Sequence, residues 1–289
     1  MFAEILIDPF LDFAFMRRAL IACVALALGC GPVGTLLILR RMSLVGDAMS
    51  HAVLPGAAVG FLFAGLSLWA MGLGGFVAGI LVALTAGFVT RVTGQREDAS
   101  FAAFYLISLA VGVMIVSSRG SNVDLIHVLF GTVLAVDDAA LLLVAGIASV
   151  TLLALAVIYR PLLVECFDPG FLKAIGSQGA IYHSIFLVLV VMNLVAGFQA
   201  LGTLMAVGLM MLPAAAAKFW ARSIMGLALT SVLLATVSGY LGLVLSFHYD
   251  LQSGPAIILA AGGAYLVSLI AGPKDGLLRR FFPVRHLRA

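Results

Sequence analysis

Long apolar runs, broken by short stretches of charge, glycine and proline, set the pattern of this chain. A helix that crosses the hydrocarbon core of a bilayer needs about 20 mainly apolar residues. Nine runs answer to that description: residues 17–39, 44–64, 67–90, 101–118, 139–159, 181–199, 201–217, 224–246 and 255–272. The pattern therefore predicts an all-α, polytopic bundle of nine transmembrane helices. The sixth and seventh runs lie close together across Gly197-Phe198-Gln199-Ala200-Leu201-Gly202, so eight spans is the alternative count. No repeat of fixed period stands out.

Two connections are longer than a hairpin needs. Residues 117–138 are semi-apolar and predict a short helix or a re-entrant segment. Residues 160–180 hold Asp168-Pro169, a pair that starts helices, with the aspartate as N-cap and the proline at the first helical position. Phe171, Leu172 and Ile175 then fall along one side of a short helix, and Gly176 is placed to cap its end.

Composition sharpens the class. The chain is 63% hydrophobic and only 10% charged, against about 25% charged in soluble domains. Nearly all of its 289 residues are taken up by spans, leaving no room for a soluble catalytic or nucleotide-binding domain. The sequence reads as a single transmembrane domain over residues 1–289, ending in a basic tail at 273–289. A formal charge of +3 is too small to point to nucleic acid. Its distribution says more, because lysine and arginine gather in cytoplasmic loops. With the N-terminus outside and the C-terminus inside, thirteen of the sixteen basic residues are cytoplasmic, and only Arg17, Arg18 and Arg119 are not. The opposite orientation reverses that ratio. The 117–138 connection then lies outside and the 160–180 connection inside.

Cys23, Cys30 and Cys166 form no CxxC pattern, and the first two are seven apart on one helix face, so they read as apolar packing residues. The acidic N-terminal stretch lacks the basic region of a cleaved signal peptide.

Polar side chains inside the spans are few, which makes Asp47 and His51 conspicuous. An ionised carboxylate at the bilayer centre costs about 2.5–3.5 kcal/mol on insertion scales, and intramembrane ionisable groups are functional by default. Spaced i, i+4, the two project from one helix face, about 6 Å apart along its axis. Pro55 follows four residues later and, lacking an N–H, leaves the His51 carbonyl without its helical donor. A carboxylate, an imidazole and a free carbonyl on one face suit a first-row divalent cation such as Mn²⁺, Fe²⁺ or Zn²⁺. A hydrogen-bonded packing pair and a proton relay are the competing readings.

His183 and Asn193 read as interhelical hydrogen-bonders. The GxxxG pairs Gly56/Gly60 and Gly75/Gly79 read as close helix contacts, and Met205, Met210 and Met211 as gap-fillers. In the outer connection, Asp124 and His127 are spaced to form a first reception point for an ion, or are simply solvated.

Against this background, LRRMSLVGDAMSHAVLPGAAVGF (39–61) closely resembles the second-span signature of the ABC-type zinc/manganese/iron permeases. The likeness continues in DLIHVLFGTVLAV (124–136), FDPGFLKAIG (167–176) and LGTLMAVGLMMLPAAAAKF (201–219), and so covers nearly the whole chain. It implies an architecture like the siderophore and cobalamin importers less one N-terminal span. It also implies a homodimer with the ion path on its two-fold axis, an extracytoplasmic metal-binding protein and cytoplasmic ABC ATPase subunits, in the inner membrane of a bacterium. Asp47 and His51 match the positions that line the metal path. Phe167, Asp168, Pro169, Phe171, Leu172, Lys173, Ile175 and Gly176 match the helix that couples to the ATPase, and Pro213 matches a proline of the seventh-span motif, a helix break like Pro55. Gly170 departs from the pattern, standing where a larger and often acidic residue is expected.

No enzyme activity and no permanently bound cofactor are expected of the chain itself. A P-loop needs Gly-Lys-Ser/Thr, and none of Lys173, Lys218 and Lys274 follows a glycine. ATP belongs on the partner subunit, and the metal, whether zinc, manganese or iron, is cargo. A stand-alone, proton-coupled carrier or channel is the alternative; it has no use for an apolar docking helix at 160–180. An intramembrane hydrolase lacks a visible nucleophile or partner acid in a second span.

Overall fold

The structure, a computed structural model, describes residues 2–65, 67–118, 136–174, 178–274 and 276–281. Every regular element among them is a helix: α1 (Phe2–Asp12), α2 (Ala14–Leu39), α3 (Ser43–Ala64), α4 (Leu68–Thr93), α5 (Glu97–Ser118), α6 (Asp138–Phe167), α7 (Pro169–Ala174), α8 (Gly179–Leu201), α9 (Thr203–Ala217), α10 (Ile224–Tyr249), α11 (Ser253–Ala271) and α12 (Leu277–Phe281). Local chemistry sets the boundaries. The side chains of Ser67, Asp137 and Ser223 accept from the amides of Ala70, Ala140 and Gly226 at the starts of α4, α6 and α10, satisfying donors that no helical turn can reach. Gly94 closes α4 in the left-handed conformation at φ 69°, as a C-terminal glycine does.

The turn between α2 and α3 has the same geometry without a glycine. The Met42 amide donates to the Leu37 carbonyl at 2.9 Å and the Arg41 amide to Ile38 at 3.1 Å, with Arg41 held at φ 60°. This is a Schellman closure, and its usual apolar clasp is supplied by Met42 and Leu37, both buried.

Nine of these helices, α2–α6 and α8–α11, correspond to the nine predicted runs. Eight have the length and hydropathy to cross a membrane by themselves, and α9 is shorter. At 15 residues it spans about 22 Å. Its start lies near Gln199, whose side chain sits against Gly72 at the head of α4. Beyond its end, the Phe219 carbonyl accepts from the Lys274 amide at 3.1 Å. The α8–α9 break is Gly202, at φ 99° and ψ 158°, a conformation open essentially to glycine alone. A broken backbone at membrane depth is tolerated where protein surrounds it, and Leu201, Met205, Ala206, Leu209 and Met210 are all buried.

α2 and α8 are the most enclosed spans and α5 the least. Around α2 pack α6, α8, α9 and α10, while α3 lies between α4 and α5. The α3–α4 seam is a backbone contact: a Cβ on Gly56 would meet the Gly74 carbonyl, and one on Gly60 the Ala70 carbonyl. Gly75 and Gly79 admit Val53 and Val191 in the same way. Asn193 donates to Thr151 Oγ1 and to the Leu189 carbonyl, both at 2.8 Å, tying α8 to α6 as a hydrogen-bonder should.

Two boundaries differ from the sequence reading. α6 does not stop at residue 159 but continues through Pro161 to Phe167, so the first eight residues of the 160–180 connection are helical. A proline inside a membrane helix is tolerated when neighbours take up the freed carbonyl. The second is α1, an extra helix whose Leu6 carbonyl accepts from Tyr240 Oη at 2.7 Å and whose Phe10 stacks on Tyr240 at 5.2 Å.

Candidate metal-path site

Along α3, Leu44, Asp47, His51 and Ala58 form an open stripe, while Val45, Met49, Ala52 and Val53 on the other side are buried. The i, i+4 spacing does what it promised: His51 Nε2 stands 3.8 Å from Asp47 Oδ1. Neither side chain is enclosed by the chain's own helices, for Asp47 is 64% and His51 42% exposed. The pair sits on the outer face of the bundle, a place in which a membrane protein keeps charge only if something other than lipid lies alongside.

Helix α5 fixes the orientation of that stripe. The His51 ring stacks on Tyr105 at 5.9 Å with 28° between planes. Ser108 Oγ donates to the Ala52 carbonyl at 3.4 Å. Gly112 lets Pro55 approach so closely that a Cβ there would lie 2.7 Å from the proline ring. Ser50 Oγ donates to the Asp47 carbonyl at 2.7 Å. The aspartate and histidine are thus the two adjacent side-chain donors of the stripe. Among the described residues no group of three or more His, Cys, Asp or Glu is close enough to hold an ion. Asp124 and His127 lie outside the described residues. Met205 and Met210 are fully buried packing residues, and Met211 lies against Gly46.

The proposed coupling segment is partly visible. Asp168 Oδ1 accepts from the Phe171 amide at 2.9 Å, the expected N-cap of α7. Leu172 is buried at 4%, while Phe167 and Phe171 are exposed at 61% and 52%. The apolar side of the segment is therefore split, with one residue anchoring and two presented outwards. Ile175 and Gly176 lie outside the described residues. A Cβ at Gly170 would meet only Asp168 Oδ1, at 3.3 Å, so a larger residue there needs no more than a small shift of that side chain.

A charged cluster that the sequence reading did not assemble lies at the same end of the bundle. Arg91 Nη2 is 2.8 Å from Glu165 Oε1, Arg40 Nη2 is 4.0 Å from the same oxygen, and His183 Nε2 is 3.9 Å from Glu97 Oε1. Arg40 also lies over the Phe186 ring at 5.7 Å. Five helix ends converge there. The signal available in advance was Glu165 itself, an acid inside the apolar stretch PLLVECF.

A bundle of eight membrane-length apolar helices, with one shorter apolar helix among them, is that of a polytopic membrane protein. The chain belongs to the ABC 3 transport family, which it matches over residues 12–272, and is thus a membrane permease of the ABC-type zinc/manganese/iron import class. It is 34% identical to the manganese import system permease protein ScaB of Streptococcus parasanguinis, over 93% of this chain and 95% of that one. It is 32% identical to the manganese transport system membrane protein MntC of Halalkalibacterium halodurans, over 95% and 93%. Among solved structures, PsaBC from Streptococcus pneumoniae in complex with Fab superimposes with a TM-score of 0.83 at 32% identity, covering 97% of this chain and all of that chain.

Proposed function

We propose that the chain is the permease subunit of an ATP-driven importer of manganese, with Asp47 and His51 as ligands along the ion path. The observation that carries this reading is the open Asp47–His51 pair, 3.8 Å apart on the outer face of α3. Two copies meeting across that stripe bring four side-chain donors together and remove both carboxylates from lipid. Carboxylate and imidazole suit manganese, iron and zinc alike; the relatives named for manganese favour the first of these. Selection among the three then rests largely with the extracytoplasmic binding protein. ATP is hydrolysed on a separate cytoplasmic subunit that grips Phe167 and Phe171, and the cluster end of the bundle faces that subunit in the inner membrane of a bacterium.

The test is uptake into proteoliposomes. Manganese accumulation should require the ATPase, ATP and the loaded binding protein together, and the chain alone should give no sustained flux. Steady uptake without ATP that collapses with an uncoupler would replace this reading with a proton-coupled carrier.

A further inference from the structure

The cluster of Arg40, Arg91 and Glu165 has no part in holding metal, since two guanidinium groups flank its carboxylate. Its placement says what it can do. Glu165 lies in the last turn of α6, three residues before the break at Asp168 that opens into α7. It is 4% exposed, its Oε1 is held by Arg91 of α4 at 2.8 Å, and Arg40 at the end of α2 stands 4.0 Å away. Its Oε2 borders Gly179 at the head of α8, where a Cβ would also meet Leu172 Cδ1 of α7 at 3.4 Å. The coupling segment's one described buried anchor and the buried carboxylate therefore bear on the same spot. A displacement of α7 would bear on Glu165, and through its ion pairs on α4 and α2.

Both of those helices lead to the metal pair. α4 packs along α3, backbone to backbone at Gly56–Gly74, so a movement of α4 as a whole bears on α3. α2 passes directly into α3 through the Arg41 turn at φ 60°, and Asp47 lies four residues into that helix. We infer that Glu165 is a positioning residue for transport: through Arg91 and Arg40 it ties the coupling segment to the helices that place Asp47 and His51, so that motion at the ATPase changes the ion path. This rests on the proposed docking of an ATPase at α7.

The experiment measures manganese taken up per ATP hydrolysed by the complete reconstituted complex, for the wild type, Glu165→Gln, Arg91→Gln and the exchange Arg91→Glu/Glu165→Arg. Energetic coupling between sites commonly amounts to about 5- to 150-fold, so uptake per ATP should fall about tenfold or more in each single variant while the ATPase stays bound and active. The exchange, which restores an opposite-charge pair, should recover a good part of the ratio. A merely structural pair behaves differently: it lowers the amount of folded complex and leaves uptake per ATP in the folded fraction unchanged. An unchanged ratio in both single variants overturns the inference while leaving the importer reading intact. A wild-type chain that binds no ATPase removes that reading, and this inference with it.

Discussion

Asp47 lies on a face that the chain itself leaves open, which favours the proposed ligand role over a packing one. A pair kept for order within the bundle would be covered by neighbouring helices, as Asn193 is by Thr151. The charge is the element to remove. Asp47→Asn preserves volume and most hydrogen-bonding capacity but should weaken the proposed metal binding. Losing even an outer-sphere partner of a metal costs about 10–100-fold in affinity or activity, so manganese uptake should fall at least about 100-fold in this variant. His51→Gln should behave similarly, and basal ATP hydrolysis should persist in both because α7 is untouched. Near-normal uptake in Asp47→Asn would make the pair structural. The pair was legible from its i, i+4 spacing alone, because helical geometry fixes which side chains share a face. The charged cluster was not, because its members come from five helix ends far apart in sequence, and only packing brings them together.

At the scale of the helix, apolar length located all nine apolar helices, eight of them long enough to cross a membrane, and most ends fell within a few residues of the predicted ones. Misreadings arose where local chemistry was overruled by surroundings. The fifth run, read as 139–159, continues as helix through Pro161 to Phe167, and the turn after α2 closes on Arg41 in a conformation usually left to glycine. Glycines that look alike in the sequence also differ once packed. Gly56 lies against the Gly74 carbonyl, whereas Gly262 of α11 has nothing within 4 Å of its would-be Cβ. Gly56→Ala should therefore destabilise the detergent-solubilised protein by about 1–3 kcal/mol through overpacking. Gly262→Ala should instead stabilise it by about 0.5–1 kcal/mol, as alanine replaces glycine inside an open helical turn. Thermal unfolding of the two variants side by side gives the comparison. Equal shifts of the same sign would show that the α3–α4 seam is looser than its geometry indicates.

For the whole molecule, the question is which end of the bundle faces the cytoplasm, and the alternation of the nine spans lets one answer orient every loop. Arg40, Arg91, Glu165 and His183 come together at one end, where the Phe219–Lys274 hydrogen bond also lies. At the other, Arg18 pairs with Asp138 at 3.0 Å and Phe13 packs on Phe247 at 5.3 Å. The first end also holds Arg41, Arg96, Arg160, Lys218, Arg222 and Arg279, against Arg17 and Arg18 at the second. Since basic residues are retained on the cytoplasmic side, the cluster end should be inside. In a Cys166→Ser background, which leaves Cys23 and Cys30 fully buried, a cysteine introduced at exposed Gln95 or Gln178 should react with an impermeant maleimide only after the membrane is opened. One introduced at exposed Gln252 should react in intact cells. The reverse pattern would place α7 on the outer side, where no ATPase could reach it, and both the importer reading and the role drawn for Glu165 would fall together.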